Sequence, residues 1–139
     1  MSAVIGIDPG KTSGVAFVDG CSGSVDIITC GDYDTRDSLY ATIRHLVTVY
    51  HVDMVVIEDF IGSGPRTPAA ILTLKLIGFL EGMLTELDIT HRLQPPQWRK
   101  PFLREAKEFE GVPHHSRDAL AHALFYLYQS ERDNDGNKD

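Results

Sequence analysis

At 139 residues, 42% of them hydrophobic, the chain has the size and composition of one domain with a sizeable core. A net charge of −7 argues against a protein that coats nucleic acid with its whole surface, because phosphate contacts are made by Lys and Arg. Met1-Ser2-Ala3 is not a basic leader before an apolar stretch, and the most apolar segment, Ala69 to Leu87, is broken by Lys75, Gly78, Glu81, Gly82 and Glu86, so neither secretion nor a membrane partner is expected. Cys21 and Cys30 lack zinc-type spacing and read as thiols of a reducing cytosol, with a cytoplasmic location the expectation.

Val4-Ile5-Gly6-Ile7-Asp8 is an apolar run that ends on a carboxylate. Pro9-Gly10 then reverses the chain into a second run, Gly14 to Val18. Asp8 at the tip of a buried strand either caps the turn or serves as a metal ligand. A second turn, Asp19 to Ser24, leads to a third strand, Val25 to Cys30, completing an antiparallel meander. Thr35 or Asp37 can cap a helix to about Tyr50 with Leu39, Ile43, Leu46, Val47 and Tyr50 on one stripe. Met54 to Ile57 is a short apolar run ending on Glu58 and Asp59, read as a strand buried on both faces.

Ile61 to Thr67 has the composition of a mobile loop, and Thr67-Pro68 opens a long helix to about Leu87. That helix is apolar nearly all round, with a notch at Gly78 and Gly82, so a homodimer through residues 68–87 is expected to bury it. Ile89 to Leu93 reads as the last strand. Pro95 to Pro101 is an irregular connection, and Phe102 to Phe109 is amphipathic. Pro113 can start the final helix, which puts His115 and Asp118 on one face; Ser116 as N-cap would leave His115 outside it. The domain is expected over residues 1–130, with 131–139 a polar, disordered tail.

A meander followed by right-handed crossovers can lay the fourth strand parallel beside the first. Asp8 and Glu58 then end neighbouring strands at one sheet edge, within reach of Asp118 and His115. Crowded carboxylates repel unless a cation is present, and hard oxygen ligands suit Mg2+ or Mn2+. The constellation points to phosphoryl chemistry.

Ile5-Gly-Ile-Asp-Pro-Gly10 with Gly14, Val56-Ile-Glu-Asp59 after a strand, and His115-x-x-Asp118-Ala-Leu-Ala121 at the start of the last helix resemble the RuvC family of Holliday junction resolvases. The match runs from about Ala3 to Tyr128, and the small size resembles phage-type members, whose site of action would be the host cytoplasm. The resemblance implies an α/β, ribonuclease H-like fold: a mixed five-stranded sheet of an antiparallel meander plus two parallel strands, flanked by helices. It implies Asp8, Glu58, His115 and Asp118 as the catalytic, metal-binding set. Many relatives carry Asp where His115 stands, and others carry His.

The activity so implied is metal-dependent, structure-selective endonuclease cleavage of four-way DNA junctions by paired symmetric nicks from a twofold dimer. The expected chemistry is two-metal phosphodiester hydrolysis in Mg2+ or Mn2+. Asp8 is placed to bridge two ions, Glu58 and Asp118 to hold one each, and His115 to ligate or to shuttle a proton. Branch-cutting of forks, flaps and three-way junctions is the alternative within the same chemistry. A binding-only module for branched DNA, and a nucleotide-binding domain of the sugar kinase, actin and Hsp70 type, are the alternatives outside it. The latter need two domains facing a cleft.

For DNA binding, Arg66 and Lys75 flank the loop after Glu58. Arg99, Lys100, Arg104, Lys107 and Arg117 lie in or after a basic stretch in which Glu105 is the only acid between Arg92 and Lys107. Lys11 can touch a phosphate, although Gly10-Lys11-Thr12 lacks the spacing of a P-loop. By resemblance, Phe60, with Ile61 able to share the task, is the candidate for disturbing stacking at the junction centre. Trp98 could stack on a base or pack in the core. Asp59 and His114 point away from the site by strand and helix geometry, and His122 lies a turn beyond it, as a core or supporting histidine.

Overall fold

The alternation of side chains along the first strands decides which elements they pack against. The computed structural model describes residues 2–21, 24–60 and 66–136. Strands β1 (Ser2–Asp8), β2 (Ser13–Cys21) and β3 (Ser24–Tyr33) form the antiparallel meander. Helix α1 (Arg36–Val49) returns the chain to β4 (Met54–Glu58), parallel to β1. Helix α2 (Pro68–Glu86) leads to β5 (His91–Gln94), parallel to β4. The sheet order β3-β2-β1-β4-β5 is the mixed five-stranded arrangement expected.

Side chains cap the crossover helices. Thr35 accepts a hydrogen bond from Ser38 N, and Thr67, followed by Pro68, accepts one from Ala70 N. α2 ends differently from the expectation. Asp88 takes a left-handed φ of 58° and Ile89 N donates to Leu84 O, a Schellman closure that uses Ile89 to finish the helix. The last strand therefore starts at His91 rather than Ile89. Gln94 is drawn into it, directly opposite Glu58.

Ile5, Ile7, Val15, Phe17, Val55 and Ile57 face α1 and α2, where they pack with Leu39, Ile43, Leu80 and Leu84. Val4, Ala16, Val18 and Val56 face the other way. There they meet α4 (His114–Gly136), preceded by a 3-10 helix (Pro96–Phe102) and the short α3 (Leu103–Lys107). Each fully buried aliphatic contributes about 1.5–3 kcal/mol. By the same alternation Asp8 falls on the face of Val4, and Glu58 on that of Val56, so both carboxylates lie on the α4 side.

α4 sits unusually close to the sheet. A Cβ on Gly6 would run into the Ala119 carbonyl, and one on Gly14 into the His115 carbonyl. Only glycine permits this approach. α4 also continues to Gly136, so residues 131–136 extend the helix instead of forming the expected disordered tail. The last turns are carried by the helix already running beneath them, where propagation costs less than nucleation.

Candidate active site

Two neighbouring parallel strands deliver Asp8 and Glu58 to the same edge, and the first turns of α4 bring Asp118 over them. Asp8 shares a hydrogen bond with Glu58 and feels the charges of Glu58 and Asp118. Burial first, then that hydrogen bond and the repulsion, push its pKa up to about 9. Burial would also raise Glu58, but hydrogen bonds from His122 and Asp8 and the charge of Arg99 outweigh it and hold Glu58 down to about 2. The two carboxylates are thus driven apart in pKa, Asp8 upward and Glu58 downward.

Arg99, assigned to DNA on sequence, turns inward. Its Nη1 donates to Glu58 Oε1, and its Nε lies 3.7 Å from Asp118 Oδ1. Burial works against the Arg99 charge, but Glu58, Asp118 and Asp8 more than compensate and raise its pKa. Proline brackets the 3-10 helix at Pro96 and Pro101, which fixes the backbone that aims Arg99. Charge counting could not supply that direction.

His122 is fully buried, and its Nε2 lies 3.0 Å from Glu58 Oε1. It therefore touches the cluster directly. The turn of helix that separates it from Asp118 is offset by the depth of Glu58 below the helix. His115 is placed otherwise. Its backbone N is bound by Asp32 and its half-buried ring packs edge-on against His114 at 5.3 Å. Among the described residues no hydrogen bond or ion pair joins that ring to the carboxylates.

Asp32, which carried no role in the sequence reading, fixes the start of α4. Its Oδ1 accepts from Ser116 N at 2.8 Å and Ser116 Oγ at 2.7 Å, and its Oδ2 from His115 N at 3.1 Å. A carboxylate at a helix N-terminus is favourable for the dipole as well as the orphan N–H groups. Pro113 lies just before the helix, with its carbonyl accepting from Arg117 N. Ser116 is inside the helix, not its cap. The cap comes from a distant strand, so no local pattern announces it.

The remaining basic and aromatic candidates divide by position. Lys11 is exposed in the turn after Asp8. Lys100, Arg104 and Lys107 are exposed along the arm before α4, and Arg66 is exposed ahead of α2. Arg117 is half-buried, and among the described residues its Nε has no hydrogen-bond partner. Phe60 is 37% exposed just beyond Glu58; Ile61 lies outside the described residues. Lys75 does not join this group. It lines a groove of about 480 Å³ with Tyr40, Gly78, Phe79, Gly82 and Glu86, on the α1 and α2 side of the sheet, opposite the carboxylates. Trp98 stacks on Phe125 at 4.8 Å and is held by packing.

Three carboxylates that must share a proton and an arginine are a donor set that a hard divalent cation would relieve. Among the described residues no three His, Cys, Asp or Glu side chains already stand as a metal cage. Arg99 serves as the counter-charge. The donor chemistry fits a divalent ion, with Asp8, Glu58 and Asp118 as its holders.

No family profile matches the sequence, and no curated protein matches it significantly. Solved structures do. The chain is similar to Thermus thermophilus RuvC in complex with a Holliday junction substrate, with a TM-score of 0.79 at 16% identity over 94% of this chain and 96% of that one. A second Thermus thermophilus RuvC structure gives 0.76 at 17% identity, over 94% and 96%. The Fowlpox virus resolvase in complex with substrate Holliday junction DNA gives 0.64 at 16% identity, over 92% and 98%. The chain has the ribonuclease H-like fold of the RuvC-type resolvases.

Proposed function

We propose that this chain is a metal-dependent endonuclease that resolves four-way DNA junctions. The observation that carries the reading is the convergence of Asp8, Glu58 and Asp118 at one edge of this fold, where burial and the neighbouring carboxylates raise the Asp8 pKa. The fold it shares with two resolvases bound to junction DNA supports the same substrate class.

Asp8, Glu58 and Asp118 would hold Mg2+ or Mn2+. When bound, such ions lower the pKa of water and stabilise the charge that develops on a phosphodiester. Arg99, poised between Glu58 and Asp118, can turn to a non-bridging phosphate oxygen once its carboxylates are otherwise neutralised. Lys100, Arg104 and Lys107 form an exposed basic arm that can follow the DNA backbone and set register without reading sequence. Lys11, Arg66 and Arg117 are further cations that can meet phosphates, and Phe60 is available to stack at an opened branch point.

A second copy supplies the symmetry. α2 is by length and composition apolar enough to cross a membrane, yet only 33% of that stretch is buried. Ile71, Leu72 and Phe79 are exposed, and a Cβ on Gly78 or Gly82 would meet nothing within 4 Å. That open notch suits the α2 of a twofold mate, which would set two sites against two strands of like polarity.

The test is cleavage of labelled four-way junction, three-way junction, flap and linear duplex in Mg2+ and Mn2+, with Asp8→Asn alongside. Paired symmetric nicks confined to the four-way junction, lost in Asp8→Asn while binding persists, are expected. Equal cutting of every branched form would replace the resolvase by a general debranching nuclease. Binding without cutting in either metal would overturn the nuclease reading.

A further inference from the structure

The buried polar groups behind Glu58 form a chain whose donors and acceptors can be assigned in only one way. Arg92 has donors and no acceptor. Its Nε and Nη2 lie 3.1 and 2.7 Å from Gln94 Oε1, so the amide oxygen must face Arg92. The amide nitrogen then faces His122, 2.9 Å from Nδ1 and 3.2 Å from the His122 carbonyl oxygen. Both amide hydrogens are used and the oxygen accepts twice. Since Gln94 Nε2 can only donate, His122 Nδ1 must accept, and the ring proton resides on Nε2. From there it is donated to Glu58 Oε1 at 3.0 Å.

The far end of the chain is anchored as firmly. Arg92 also donates to Gln129 Oε1 at 3.2 Å and lies over the Tyr126 ring at 4.8 Å. Gln94 and His122 are both 0% exposed, so no water competes for these bonds. Gln94 pairs with Glu58 across β4 and β5, while His122 descends from α4. The chain therefore ties three elements to one carboxylate oxygen.

We infer that Arg92, Gln94 and His122 form a positioning relay that fixes His122 as the Nε2–H tautomer and thereby locks the orientation of Glu58. This rests on the reading of Glu58 as a working carboxylate of the site. His122 is a positioning residue: it engages Oε1, the same oxygen that Arg99 contacts, and so holds the carboxylate to one orientation of that oxygen. Supporting hydrogen bonds of this kind are worth about 10- to 100-fold in metal affinity at other sites.

The direct test is the 15N spectrum of the His122 side chain in the full metal-free protein near neutral pH. A neutral Nε2–H ring is expected. An Nδ1–H tautomer or a doubly protonated ring would require the Gln94 oxygen to face His122 and would overturn the inference. Function is tested by Mn2+ affinity and by single-turnover junction cleavage in His122→Leu, His122→Gln and Gln94→Met. Gln keeps a donor toward Glu58 and Leu does not. A loss of about tenfold or more in Mn2+ affinity is expected for His122→Leu, with a fall in kcat at unchanged junction KM and substantial recovery in His122→Gln. Equal losses in Leu and Gln that follow their melting temperatures would reduce His122 to a packing residue. Should the wild type prove unable to cut DNA, the proposed function fails while the tautomer and the Mn2+ affinities still decide the relay; should His122→Leu not fold, the spectrum and Gln94→Met decide it.

Discussion

The closeness of α4 to β2 makes Gly14→Ala the most informative single methyl in the molecule. The added Cβ would stand 2.7 Å from Ser116 N and closer still to the His115 carbonyl, where ordinary contact begins near 3.4 Å. Backbone lies on both sides, so no flexible side chain can yield. The start of α4 must retreat by about 1 Å to restore normal contact. Such overpacking costs about 1–3 kcal/mol. The same movement strains the three hydrogen bonds from Asp32, each of a charge-assisted kind worth about 1.5–3 kcal/mol. Reduced freedom of the unfolded chain returns about 0.4–1 kcal/mol, leaving a loss near 3 kcal/mol. With a urea slope of about 1–3 kcal/mol/M the midpoint should fall by between about 1 and 3 M. Because Asp118 rides on the displaced turn, cleavage should fall by about 100-fold even where the protein remains folded. Gly10→Ala in the preceding turn, where the Cβ meets only Thr12 O at 3.5 Å, is the control and should change little. A midpoint for Gly14→Ala equal to or above wild type would refute the packing account of α4.

Removing the remote cap itself, Asp32→Ala, should lower stability by about 1–2 kcal/mol and weaken Mn2+ binding, measured by denaturation and metal titration; unchanged values for both would show that α4 needs no cap. Between about pH 4 and 9 the native state holds a proton on Asp8 that the unfolded chain has released, so metal-free stability should decline as pH rises through that range. Glu58 acts oppositely, its contribution being lost as pH falls from about 4.5 toward 2. The denaturation midpoint of the metal-free protein should therefore peak between these regions, and Asp8→Asn should flatten the alkaline decline; an identical slope in the variant would remove Asp8 as its source. Phe79→Asp on the exposed face of α2 should turn a sedimenting dimer into a monomer, and a wild type already monomeric at micromolar concentration would remove the dimer. Lys100→Ala with Arg104→Ala should weaken binding to every DNA form alike and lower the salt slope by about 0.9 per lost phosphate contact; a slope equal to wild type would take this arm away from the DNA.

The sheet, and the meeting of Asp8 and Glu58 at one of its edges, were readable because strand-end acids after short apolar runs are costly without a purpose. Asp118 followed from helical spacing. What was not readable depended on direction or distance. Arg99 and Lys100 are adjacent and alike in charge, yet one points into the carboxylates and the other into solvent, a choice made by the proline-bounded 3-10 helix. His122 read as a supporting residue at most, because helical spacing measures distance along α4 and not the depth at which Glu58 sits. Asp32 and Gln94 acquire their roles from contacts made across 84 and 28 residues of chain. Lys75 kept its helix but changed its face. The apparent tail from Glu131 had a polar composition that suits a solvated helix extension as well as a coil.

The chain order of the site elements bears on when the molecule becomes able to act. Asp8 and Glu58 belong to strands that lie early in the chain, whereas Arg99, Asp118 and His122 arrive with the last third, and α4 can seat only on a sheet whose glycines already accept it. During synthesis the first half of the chain can therefore fold its meander and crossover while holding two carboxylates with neither their arginine nor their histidine. A chain that lacks the final helix therefore lacks Asp118 and His122, the share of the carboxylate cluster that α4 carries.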